Sequence, residues 1–96
     1  MTEQQKNQAI ADRCPLKFAL ELIGPYGPGW YYWLDGQLIR CLNGSIIDDL
    51  NAMRIAEDTL TDEQEVEYAD KLCGKGSVFA TSRQRADAFA KVFVLW

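Results

Sequence analysis

Glu63, Glu67 and Asp70 are spaced four and three residues apart, so a helix over this stretch sets three carboxylates in one row. Such a row reads as a solvated helical face or as an anionic surface that docks on a basic patch of another protein. The chain contains no histidine, which removes Ser-His-Asp and Cys-His catalysis, imidazole bases and nearly all zinc sites other than all-cysteine ones. Cys14, Cys41 and Cys73 are odd in number, widely spaced and form no Cys-x-x-Cys pair. They cannot make a four-cysteine zinc site, and they read as reduced, mostly buried thiols of an intracellular protein. No phosphate-cradling glycine loop of the usual nucleotide enzymes occurs either. The sequence therefore predicts no enzyme, no cofactor and no metal, with chemistry by carboxylates alone as the remaining catalytic alternative.

Three further constellations bear chemistry. Glu57 lies on an apolar helical stripe, four residues after Met53 and three before Leu60. A carboxylate there must be paired or neutralised, and Arg85 is the expected partner in a structural ion pair. A ligand-facing acid is the alternative. Thr81, Ser82, Arg83 and Arg85 gather hydroxyls, free amides and two guanidinium groups at a helix start, where cations oppose the macrodipole unless an anion sits among them. Together with Lys75 they form a candidate phosphate or nucleotide site, the plainer reading being a capping box with an arginine committed to Glu57 or the acidic helices. Residues 26–33 hold five aromatics: Tyr26, Trp30, Tyr31, Tyr32 and Trp33. Alternation sends Trp30 and Tyr32 to one face of a strand and Tyr31 and Trp33 to the other. A strand covered by helices on both sides explains this, while a Gly-Pro loop edged by Tyr26 and Trp30 would serve as an interface hot spot. Single-stranded nucleic acid would require basic residues among the aromatics, and residues 24–36 contain none. No direct nucleic-acid binding is expected.

Charge is sorted along the chain. Residues 48–70 carry nine acids against Arg54, whereas residues 71–96 carry five bases against Asp87. A concentrated patch selects partners more than the net charge of −4 does. Much of the acidic segment has local work: Asp48, Asp49 and Asp62 stand at helix starts, and like charges spaced as Glu63, Glu67 and Asp70 are cost a few tenths of a kcal/mol each. The row reads either as a solvated face relieved by Lys71 or as an anionic surface for a basic protein patch. Head-to-tail self-association of the acidic and basic segments is a further alternative.

The elements that must position these groups follow from pattern. At 96 residues and 48% hydrophobic content, one domain with one core is expected. No apolar run approaches the roughly 20 residues of a membrane span, and the polar N-terminal stretch is unlike a signal peptide. A cytoplasmic protein with no membrane contact is expected. Glu3–Arg13 predicts a short helix stopped before Pro15. Leu16, Phe18, Leu20 and Leu22 alternate with polar or small residues as in a half-buried strand, with a short helix as the rival. Asp35-Gly36 predicts a type I′ hairpin between Trp30–Leu34 and Gln37–Leu42. After Asn43-Gly44-Ser45, the positions Ile46, Leu50, Met53, Ala56 and Leu60 predict a helix. Thr61-Asp62-Glu63-Gln64 predicts a capped second helix to about Cys73, ended by Gly74, with Val66, Ala69, Leu72 and Cys73 inward. Ser77–Ala80 predicts a last strand. Thr81–Gln84 repeats the capping box and opens a helix with Ala86, Phe89, Ala90 and Phe93 on its core face. The expected fold is α+β, in the order α-β-β-β-α-α-β-α.

The runs Asp49-Leu50-Asn51-Ala52-Met53 with Ala56-Glu57, and Ala80-Thr81 with Gln84-Arg85-Ala86, Ala88-Phe89 and the closing Leu95-Trp96, resemble the phage ABA sandwich domain family. Its members carry a DLNAM-x-x-AE helix and an AT-x-x-QRA-x-AF helix ending in a Leu-Trp pair. The resemblance covers residues 48–60 and 79–96 and is weak before residue 45. It implies a three-layer α/β/α sandwich, a small antiparallel sheet with helices on both faces. It also implies a phage or prophage origin with action inside a bacterium, and it carries no catalytic residues. Glu57 and Arg85 fall on matching positions, which favours a structural bond between them. Small phage accessory proteins commonly act by binding. The leading expectation is a stoichiometric inhibitor of a host defence protein, anti-CRISPR-like, that docks through Glu63, Glu67, Asp70, Tyr26 and Trp30. The alternative is a sponge for a signalling nucleotide that uses the aromatics and Arg83 with Arg85.

Overall fold

In the computed structural model, residues 1–72 and 80–96 are described. Helix α1 spans Glu3–Arg13 and opens on a capping box, Thr2 Oγ1 accepting from the Gln5 amide while Gln5 Oε1 accepts from the Thr2 amide. Three strands follow, β1 (Phe18–Glu21), β2 (Gly29–Leu34) and β3 (Gln37–Arg40). They form one antiparallel sheet in the order β1-β2-β3. Asp35 and Gly36, with φ of 51° and 76°, turn β2 into β3 as the type I′ hairpin requires.

The helix expected from Ile46 begins later. Two single 3-10 turns, Leu42–Gly44 and Ile46–Asp48, precede α2, which spans Leu50–Glu57. The reason is Asp49, whose extended backbone stands before the first turn. One carboxylate oxygen accepts from the Ala52 amide at 3.0 Å and the other from the Leu42 amide at 2.7 Å. A residue capping in both directions cannot itself be helical. Helices α3 (Asp62–Lys71) and α4 (Ser82–Phe93) each open on the expected threonine–glutamine box, at Thr61–Gln64 and Thr81–Gln84. Among the described residues the protein is thus α+β, with four α-helices and a three-stranded antiparallel sheet. Cys73, the Gly74 stop, Lys75 and residues 77–79 of the expected last strand lie outside the described residues. Ala80 is buried and belongs to no strand.

Register assigns the faces of the sheet. Phe18 is opposite Tyr32 and Tyr32 opposite Ile39, while Leu20 is opposite Trp30. These residues share one face, and Trp30 and Tyr32 join the same buried cluster as Ile10, Ile46, Met53 and Phe89, with Phe18 and Ile39 packed against it. Ala19, Tyr31 and Arg40 line up on the other face.

Two expected burial patterns fail, each for a local reason. Leu16 and Leu22 are exposed and Leu20 nearly half so, because β1 is only four residues long, lies at the sheet edge and follows a turn in which Leu16 takes φ 67°. On α3 the inward residues are Tyr68 and Leu72, whereas Val66 is 72% exposed and Ala69 also faces out. Tyrosine hides far more apolar area than valine, so the ring sets the rotation of a helix with few apolar side chains.

Candidate functional site

Helix α3 gathers Asp62, Glu63, Glu65, Glu67 and Asp70 within its ten residues. Asp62, Glu63 and Glu65 fall in its first turn, where the macrodipole favours them. Glu67 and Asp70 lie beyond that turn. Glu63, Glu67 and Asp70 are all exposed, and among the described residues none of them has an ion-pair partner. Val66 projects among these acids. The face is held by what lies beneath: Tyr68 and Leu72 are buried, and α3 packs along α4.

Three carboxylates elsewhere, Glu3, Asp48 and Glu57, are matched to arginines. Arg85 Nη1 donates to both Glu57 oxygens, at 2.8 and 3.0 Å, and Arg85 Nε reaches the Ala80 carbonyl at 3.4 Å. This is the ion pair the apolar stripe predicts. Burial, then the Glu57 charge, raise the Tyr68 phenol well above its ordinary range, and its buried hydroxyl finds no hydrogen-bond partner among the described residues. Arg83 bridges Glu3 and Asp48, its Nε lying 2.7 Å from Asp48.

The structure therefore divides the residues considered for an anion site. Thr81 is taken up in capping Gln84, Arg83 turns to Glu3 and Asp48, and Arg85 turns inward to Glu57. Only Ser82 is left without such a commitment, and Lys75 lies outside the described residues. Instead of converging on a ligand, the two guanidinium groups tie the start of α4 to three other segments.

The aromatic segment also departs from expectation. Tyr26 is 74% exposed, but Trp30 is only 5% exposed and sits in the core. Trp30 is thus corrected from a docking residue to a packing residue, because its partner Leu20 and the residues of the 42–48 turns place it on the covered face. Tyr31 is buried too, on the opposite face, beneath the Gly-Pro loop rather than a helix. Its hydroxyl accepts from the Tyr26 amide at 3.0 Å and donates to the Gly27 carbonyl at 2.7 Å. Gly24 lies against the ring so closely that a Cβ there would meet the Tyr31 oxygen at 2.3 Å. Arg40 fastens the same loop by donating from Nε and Nη2 to the Pro28 carbonyl at 3.2 and 2.9 Å.

Sequence reasoning missed one buried polar junction. Asn7 donates to Ser45 Oγ at 3.0 Å and accepts from the Ile47 amide at 3.1 Å, joining α1 to the 3-10 turns. A polar residue one turn before Ile10 on the inward side of α1 was the available signal. Asn7 and Ser45 line a shallow groove of about 320 Å³ floored by Leu20 and Trp30. A smaller cleft of about 70 Å³ lies beside Trp96, over which Lys6 Nζ stands 5.2 Å from the ring centre. Among the described residues, no cluster of three or more Cys, Asp or Glu is placed to hold a metal ion, and no helix is long and apolar enough to cross a membrane.

No family model matches the chain, and no curated protein or solved structure is significantly similar to it. The residues of the runs 49–57 and 80–89 are largely structural. Asp49 caps α2, Met53, Ala56, Ala86 and Phe89 are core, and Glu57 and Arg85 bind one another.

Proposed function

We propose that the protein is a phage-encoded, non-enzymatic binding protein that inhibits a bacterial host defence protein, anti-CRISPR-like, by docking the acidic face of α3 on a basic, nucleic-acid-binding surface in the host cytoplasm. One observation carries this reading. Glu3, Asp48 and Glu57 are each matched to an arginine, whereas Glu63, Glu67 and Asp70 stand exposed, in one row and without an ion-pair partner among the described residues. A row of like charges that weakens its own helix is retained at a cost unless a cationic partner meets it. Tyr26, 74% exposed, is an aromatic available for a second contact, whereas Trp30 is buried. The three-layer α/β/α sandwich is the layering that goes with this family reading.

The decisive test is affinity capture from host lysate with the wild-type chain and with the triple reversal E63K/E67K/D70K, followed by mass spectrometry of proteins and small molecules. The captured protein should be lost from the reversed variant and should bind the wild type less tightly as salt rises. Capture that survives the triple reversal, or retention of a nucleotide with no protein, would sink the inhibitor reading.

A further inference from the structure

The edge of β1 that pairs with no strand among the described residues is complementary to itself. Around Ala19 the sequence Lys17-Phe18-Ala19-Leu20-Glu21 places an apolar residue one step away on each side and opposite charges two steps away. The edge is also turned correctly. Trp33 donates its amide to the Lys17 carbonyl at 3.1 Å and Ala19 is opposite Tyr31, so residues 17, 19 and 21 direct their backbone groups toward β2. Phe18 and Leu20 then direct theirs to the open side, where no strand pairs among the described residues. Proline is absent from Phe18–Glu21, and its one charge, Glu21, lies on the face away from the core.

We propose that two copies of the protein pair through antiparallel β1 strands about a two-fold axis at Ala19, joining two three-stranded sheets into one of six strands. In this register Phe18 and Leu20 of one copy exchange backbone hydrogen bonds with Leu20 and Phe18 of the other. Their side chains share the face that bears the core, so half-exposed Leu20 packs on the partner's Phe18. On the opposite face Lys17 meets the partner's Glu21 twice, once on each side of the axis, and neither residue has an ion-pair partner within its own chain among the described residues. Leu16 and Leu22, 91% and 80% exposed, flank the paired segment and are brought toward each other across it. The arrangement is isologous and closes at two copies. The β3 edge lacks this symmetry, because Leu38 and Arg40 flank Ile39 and Arg40 is engaged with Pro28.

Sedimentation velocity of the full chain over a range of concentrations, with charge reversals, tests the pairing and is independent of α3. Wild type should show a concentration-dependent dimer. K17E or E21K alone should raise its dissociation constant by about tenfold or more, since each turns two opposite pairs into like ones. The double variant K17E/E21K should recover the dimer. Ala19→Cys, in a background with Cys73→Ser, should cross-link on oxidation, because a non-hydrogen-bonded antiparallel pair at the axis sets the two Cα atoms ~4.5 Å apart. Cys14 and Cys41 are buried and do not compete. A chain that stays monomeric at millimolar concentration overturns the proposal. So does a dimer indifferent to the single reversals, one that the double variant does not restore, or one that Ala19→Cys does not cross-link.

Discussion

Arg85 and Glu57 meet side by side beneath the helices, one guanidinium nitrogen shared by both carboxylate oxygens, with the arginine side chain 5% exposed and the glutamate 21%. Removing either partner strands the other charge. Glu57→Ala or Arg85→Met should each cost about 3 kcal/mol in urea unfolding, near the low end for a broken buried pair because Glu57 keeps some contact with water. The double replacement E57M/R85M should cost less than the sum of the two singles, by about 1–3 kcal/mol. Strict additivity would mean that the two side chains do not act as a pair.

Tyr31 holds its loop by a single oxygen. Tyr31→Phe removes the acceptor for the Tyr26 amide and the donor to the Gly27 carbonyl, and should lower stability by about 1–2 kcal/mol. Hydrogen exchange at the Tyr26 amide should quicken correspondingly. Gly24→Ala should be the harsher change, since its Cβ would overlap the ring. Unchanged exchange at Tyr26 in Tyr31→Phe would contradict the latch.

Stability and binding should respond in opposite directions on α3. Asp70 falls at the C-terminal end of Asp62–Lys71, where the macrodipole disfavours a negative charge, and it stands three residues from Glu67. Asp70→Asn should therefore stabilise the protein by about 0.3–0.5 kcal/mol in thermal or urea unfolding. The same variant should weaken capture of the host protein. A loss of stability instead would show that Asp70 has a favourable contact within the fold.

Alkaline pH should unfold the protein early. The Cys41 thiol is pushed up to about 12 from its ordinary 9.0, by burial first and the Asp49 charge second. Burial is also the main cause raising Cys14, Tyr32 and Tyr68. Above pH 9 the unfolded chain surrenders these protons while the folded chain keeps them, so the folded state binds more protons and stability falls as pH rises. For Cys41 the contribution is complete below pH 9 and disappears by about pH 12. Melting temperature should drop through this window, and Cys41→Ala should shallow the slope even as it lowers the starting value. At pH 8 neither Cys14 nor Cys41 should react with a thiol reagent until the chain unfolds.

What the sequence discloses and what it hides divides by chain separation and by geometry. The boxes at Thr61 and Thr81, the Asp35-Gly36 turn and the Glu57–Arg85 pair were legible because each rests on a local spacing or on one unaffordable buried charge. Thr2-x-x-Gln5 carries the same box signal. The late start of α2 was hidden because Asp49 caps in two directions, and its second bond, to Leu42, looks backward along the chain. Periodicity put Val66 and Ala69 inward on α3, since it weighs residues by type and not by ring area. Aromatics on both faces of the strand fit helices on both sides, and no pattern shows that a six-residue Gly-Pro loop is itself enough to bury Tyr31. The Arg83 bridge joins Glu3 across 80 positions, which no local rule can see. For the candidate site, the exposed acidic row was legible from spacing, whereas the burial of Trp30 depended on strand register.

The two sides of the sheet are covered by segments of very different origin, and that sets an order of events during folding. Tyr31 is latched to Tyr26 and Gly27, five and four positions away, whereas the other side is closed by contacts such as Asn7 with Ser45, 38 positions apart. Closing a short loop costs less chain entropy than closing a long one, so the meander over residues 18–40 and its loop can assemble as a local nucleus before the helices arrive. The N-terminal helix and α4 are then recruited to a sheet whose far side already buries Tyr31.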